Sequence, residues 1–181
     1  MKLRAGSLLL AEPYLLDPNF KRTAIVLADH HEEGTVGFVL NRKLDWRINE
    51  VINGFPDFDD FLYYGGPVQR DTLHFMHTLG ADIADAIHVE DDMYWGGSFE
   101  QMTYAVMGGT ATPDNTKFFL GYSGWSPGQL EGEVGEGTWV VSDALKRFVF
   151  DTPAEQVWSR AMRRLGNTYG VIGDMDEEML N

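Results

Sequence analysis

The sequence predicts a mixed α/β domain, α+β in character, with more strands than helices. Three observations carry this expectation. Short apolar runs rich in β-formers recur along the chain, and several are joined by turns short enough for hairpins. Three helix starts share one S/T-x-x-E/Q signature, at Ser98, Ser126 and Thr152. The 181 residues, 44% hydrophobic and 13% aromatic, suffice for one packed core without staples.

The first strand is expected over residues 7–10, before a loop through Pro13 and Asp17-Pro18. Residues 23–28 form a continuous apolar run, as a strand covered on both faces requires. A turn over 30–34 (H-H-E-E-G) returns the chain into a second buried strand over 36–40. Residues 45–52 have the spacing of a short helix in Trp46, Ile48, Val51 and Ile52, and 53–60 read as a loop. Strands over 61–64 and 73–78 flank Gly65-Gly66-Pro67, and 87–89 is short and extended.

The helix from Ser98 sets Phe99, Met102 and Val106 on one face and stops at Gly108-Gly109. A strand over 117–121 then enters a glycine-rich turn, Gly121-Tyr122-Ser123-Gly124-Trp125. The helix from Ser126 is shorter and carries Gly128 and Gly132. Residues 138–141 are a strand, and 144–150 fit either helix or strand. The helix from Thr152 presents Val157, Trp158, Ala161, Met162 and Leu165, and stops at Gly166. Proline at its first position, as at Pro127, costs no hydrogen bond. One domain over 1–166 is expected, with 167–181 a fraying acidic tail.

Composition excludes several functions. The chain has no cysteine, so disulfides, thiolate metal sites and cysteine nucleophiles are all absent. The apolar run 8–11 imitates a signal peptide but is too short and ends at Glu12-Pro13. No run approaches the roughly 20 apolar residues of a membrane span. A soluble cytoplasmic protein with no membrane partner is expected. The net charge of −14 disfavours direct nucleic-acid binding, which needs a basic face. Arg160, Arg163 and Arg164 are the best basic group, and they also suit a helix C-terminus.

The motifs that could carry chemistry are weak. G-Y-S-G at 121–124 resembles the nucleophile elbow G-x-S-x-G, but its second glycine comes one residue early. All five histidines lie at or before His88, whereas that hydrolase order needs one after the serine. His74 and His77 would diverge on a strand, so no metal is expected, and no motif asks for a cofactor. Gly96-Gly97-Ser98 fits ordinary helix capping better than phosphate binding. Glu131, beside the aromatic turn, is the carboxylate best placed for a pocket.

An ordered set of short motifs spans nearly the whole chain. It runs G-S-L-L-L-A-E-P at 6–13, D-P-N-F at 17–20, G-x-V-L-N at 37–41 and G-G-P-V at 65–68. L-H at 73–74, G-Y-S-G-W at 121–125, G-Q-L-E at 128–131, a tryptophan strand at 138–141 and Trp158 follow. In this set the chain resembles the YqgE/AlgH family of bacterial proteins. The resemblance implies a cytoplasmic α/β domain built on a strongly bent, partly barrel-like mixed sheet with flanking helices. Some members carry the label of transcriptional regulator, for an effect on exopolysaccharide production, and none offers a catalytic residue to carry over. H-F-M-H at 74–77 and W-G-G at 95–97 depart from the family pattern and mark a subgroup.

The function expected first is a non-catalytic regulatory or adaptor domain that binds a protein or a small ligand. Its face would combine Asn41, Gly65, Gly66, Pro67, Tyr122, Trp125, Gln129 and Glu131. Glycines admit a partner to the backbone, aromatics supply contact area, and Gln and Glu fix orientation. The alternatives are an enzyme using Glu131 or His74 as acid–base, and a DNA-binding regulator using Arg160, Arg163 and Arg164.

Overall fold

A computed structural model describes residues 1–166, and the expected acidic tail lies outside the described residues. Ten strands form one strongly curled sheet, a half-barrel. They are β1 (Ser7–Ala11), β2 (Ala24–His31), β3 (Gly34–Val39), β4 (Lys43–Arg47) and β5 (Phe61–Tyr64). Then come β6 (Val68–His77), β7 (Ile87–Glu90), β8 (Met93–Trp95), β9 (Thr116–Trp125) and β10 (Trp139–Asp143). The spatial order is β10-β1-β2-β3-β9-β6-β8-β7, with β5 also on β9 and β4 beside β5. Pairing is antiparallel except between β5 and β9. Five helices flank the sheet: α1 (Ile48–Val51), α2 (Phe99–Met107), α3 (Gln129–Gly135), α4 (Lys146–Phe150) and α5 (Ala154–Arg164).

The alternation of the strands sorts the core. Leu8, Leu10, Ala24, Val26, Phe38 and Phe119 face α4 and α5, where Phe148, Val157 and Trp158 cover them. Their neighbours Leu9, Ala11, Ile25, Leu27 and Val39 face the other way, onto Leu130 of α3, Trp125 and Trp139. Phe118, Phe75 and Leu62 build a separate cluster with Met102 and Val106 of α2.

Four expectations are corrected. Residues 121–125 are not a turn but the last half of β9. Gly121 takes a φ of +69° inside that strand, and pairing with β3 and β6 on either side holds the chain extended. His30 and His31 belong to β2, so the hairpin turn is Glu32-Glu33 alone. Residues 43–47 are a strand, which shortens the expected helix to Ile48–Val51. Thr152 does not cap α5, because its hydroxyl turns back to donate to the Arg147 carbonyl at 2.9 Å.

Of the other two helix starts, Ser98 caps α2 by accepting from Gln101 N–H at 3.2 Å. At α3 only the returning half of the box forms. Gln129 Oε1 accepts from Ser126 N–H at 3.0 Å, and Gly128 occupies the cap.

Candidate functional site

β9 is the axis of any site, since it joins both halves of the sheet. The Gly65-Gly66 corner lies against its bend. A Cβ on Gly65 would stand 2.2 Å from the Gly121 carbonyl oxygen, and one on Gly66 would stand 2.2 Å from Tyr122 main chain. Gly65 N–H donates to Leu120, and its carbonyl accepts from Val39 N–H and from the Ser123 hydroxyl. These glycines admit β9 to their backbone, and both are buried. Ser123 is fully buried with its hydroxyl committed, so it has no access to a substrate.

Tyr122 and Trp125 line one open cleft of about 410 Å³, walled by Asp29, His31 and Glu33 of the β2–β3 hairpin. Tyr122 is half-buried, with its ring edge on His74 at 5.6 Å between centroids. Trp125 is only 6% exposed. Its indole N–H donates to Glu133 Oε2 at 3.0 Å, and Trp139 donates to the same oxygen at 2.7 Å. Gln129 Nε2 donates to the other oxygen, Oε1, at 3.0 Å. One carboxylate thereby organises two indoles and an amide. Trp125 also walls a smaller cavity, about 280 Å³, with Phe20, Gln129 and Trp139.

A tryptophan wedged between two cavities has little to replace it. Trp125→Ala is expected to cost about 3–4 kcal/mol, read as a lowered urea midpoint, whereas Gln129→Ala, which loses two hydrogen bonds at an exposed helix start but little packing, costs about 1 kcal/mol.

The remaining candidates lie apart from that cleft. Asn41 spends its amide on the backbone, accepting from Ala24 N–H at 3.0 Å and donating to the Arg22 carbonyl at 2.8 Å. Pro67 is half-buried after the glycine corner. Glu131 is exposed and sits 3.5 Å from His30 Nε2, while His30 Nδ1 meets the Thr35 hydroxyl at 2.7 Å. That row supplies an acid–base pair, but Thr35 is buried within β3, where it pairs with Trp125. His74 and His77 lie on opposite faces of β6, against Tyr122 and Tyr94 respectively. Burial lowers the pKa of both. Arg160, Arg163 and Arg164 are exposed on α5.

Sequence reasoning missed Lys117. It is buried in β9 with its ammonium 4.2 Å from the centroid of Tyr63, and burial lowers its pKa to about 8. Tyr63 is itself pushed up, first by burial and then by Asp60. The available signal was a lone charge beside the apolar run F-F-L.

The chain matches the DUF179 family model, described as AlgH-like, over residues 8–170. A UPF0301 protein of Chlorobium limicola is 44% identical over 176 residues, covering 97% of this chain and 94% of that protein. A UPF0301 protein of Chlorobaculum tepidum is 45% identical over 175 residues, with the same shares. The solution structure of the AlgH protein from Pseudomonas aeruginosa superposes with a TM-score of 0.77 at 29% identity, over 97% of this chain and 98% of that one. The crystal structure of a Corynebacterium diphtheriae protein shares the fold, with a TM-score of 0.80 at 23% identity over 97% and 94%. No helix among the described residues is long and apolar enough to cross a membrane.

Proposed function

We propose that this chain, which belongs to the AlgH-like family, is a non-catalytic regulatory or adaptor domain that holds a cationic segment of a partner protein in the Tyr122–Trp125 cleft. One observation supports this most. The cleft sets a half-buried tyrosine and a rigidly held tryptophan against an acidic wall, Asp29 and Glu33, on a chain of net charge −14. Aromatic anchors with complementary charge at the rim are the usual makings of a protein-binding hot spot. Gly65, Gly66, Pro67 and Asn41 hold the strands that carry this face, while Gln129 fixes Glu133 under the tryptophans. Glu131 flanks it through His30.

The reading takes residues 1–166 as one domain acting in the cytoplasm, and it makes any effect on transcription indirect. A strongly acidic chain repels the phosphates that direct DNA binding must neutralise. The burial of Ser123 and Thr35 favours binding over nucleophilic catalysis.

Affinity capture from native lysate with nuclease treatment tests it, comparing the wild type with Tyr122→Ala and with Asp29→Asn/Glu33→Gln. A partner retained by the wild type should fall at least tenfold in both folded variants. Equal retention in all three, or capture that nuclease abolishes, sinks the proposal.

A further inference from the structure

A second cleft, about 520 Å³, opens on the far side of β6 from β9. It draws together His74-Phe75 of β6 and Trp95-Gly96-Gly97 at the end of β8. Its volume lies within the roughly 300–1,000 Å³ of small-molecule sites. Its walls are apolar: Trp95 and Ile87 come from one face of the sheet, and Leu73, Phe75, Ile52 and Phe99 from the other. The cleft is therefore a gap at a strand edge. β8 pairs with β6 only at Met76 and His77, and Gly96 N–H adds one bond to the Phe75 carbonyl at 2.8 Å.

That pattern leaves a polar group inside. On the β9 side Leu73 lies opposite Leu120, whose carbonyl accepts instead from Gly65 N–H on the β5 side. Phe75, two residues on, points its carbonyl away from β9 towards Gly96. The period of two then directs the Leu73 N–H and C=O away from β9 as well, into the cleft. Among the described residues no strand pairs with Leu73 on that side. One donor and one acceptor, side by side on a strand edge, match a ligand that carries the same two groups in one plane. His74 adds a neutral ring. The Thr72 hydroxyl donates to the Gln69 carbonyl at 2.7 Å, so at 3.0 Å its oxygen accepts from His74 Nε2–H. The net charge of −14 selects against an anion.

We propose that this cleft binds a neutral, flat aromatic lactam or cyclic imide, its N–H and C=O paired with the main chain of Leu73 and its rings against Trp95, Phe75 and Phe99. The site is separate from the Tyr122–Trp125 cleft and does not depend on the adaptor reading.

The experiment is an amide-resolved NMR titration of the full chain with 2-quinolinone, and with quinoline as the comparator that lacks both the N–H and the C=O. Saturable shifts at the Leu73 amide and the Trp95 indole are expected for 2-quinolinone, with quinoline at least tenfold weaker. Ile87→Asp places a charge on a wall residue that is 51% exposed, so the fold persists while binding drops at least tenfold. Equal binding of the two probes, shifts centred on Tyr122 and Trp125, no saturable shift, or unaltered binding in folded Ile87→Asp each overturns the proposal.

Discussion

Gly65→Ala should cost about 4 kcal/mol or more, a large share of the roughly 5–15 kcal/mol that holds a domain together. The added methyl would occupy the space of the Gly121 carbonyl oxygen at 2.2 Å and crowd Phe119 Cβ and Phe38 Cδ1 at 3.1 Å. The 2.2 Å contact is backbone on backbone, so no rotamer change relieves it. Relief requires β5 to part from β9, which breaks the bonds from Gly65 to Leu120 and from Val39 to Gly65. Soluble yield and urea denaturation measure this. Gly132→Ala is the control: nothing lies within 4 Å of its Cβ, and within α3 alanine should stabilise by up to about 1 kcal/mol. If Gly65→Ala unfolds at the wild-type urea midpoint, the close crossing is not what holds the sheet's bend.

Lys117→Met should stabilise the protein at pH 7 by about 1–3 kcal/mol. The ammonium is charged there at a desolvation cost, and a shift from 10.5 to about 8 corresponds to about 3 kcal/mol. Contact with the Tyr63 ring returns about 1 kcal/mol of this. Methionine fills similar volume without the charge. The pH dependence carries a signature. Between about pH 8 and the ordinary lysine value the unfolded chain binds a proton at Lys117 that the folded chain does not, so wild-type stability rises with pH there. Tyr63 acts in the opposite sense. With its folded pKa raised, it removes stability once pH passes its ordinary value of 10.0, so the rise is confined to about pH 8–10. Urea midpoints at pH 7 and pH 9 should differ in the wild type and converge in the variant. A variant less stable than the wild type at both would mean that Lys117 is a net stabilising contact.

The first strands were legible because β1, β2 and β3 are largely buried on both faces. Residues 23–28 and 36–40 could only be buried strands, and they became the β2–β3 hairpin. The stretch 121–125 misled for a physical reason. Glycines signal a turn locally, but here Gly121 bends a strand that β3 and β6 hold extended, and such pairing is non-local. The same limit applies to Thr152, whose hydroxyl found a carbonyl in the preceding helix instead of its own cap. Within the candidate face, Tyr122 and Trp125 were placed together by adjacency in sequence and do line one cleft. Asn41 and Glu131 depend on which strand lies beside which, and the curl of the sheet sets them at different places. Glu133 and Lys117 escaped notice because a charged residue declares its role only through what surrounds it.

The first strand, β1, finds its outer partner in the last, β10, with Leu9 opposite Val141. The β2–β3 hairpin can form early from local contacts, but one edge of β1 stays bare until the distant β10 joins it. Native contacts of such long sequence separation slow folding and prolong the exposure of apolar strands. Leu8, Leu9 and Leu10, wholly buried at the end, are the residues that wait longest for cover. The seam between β1 and β10 makes closure of the sheet a late, non-local event, with β1 among the last strands to be covered on both edges.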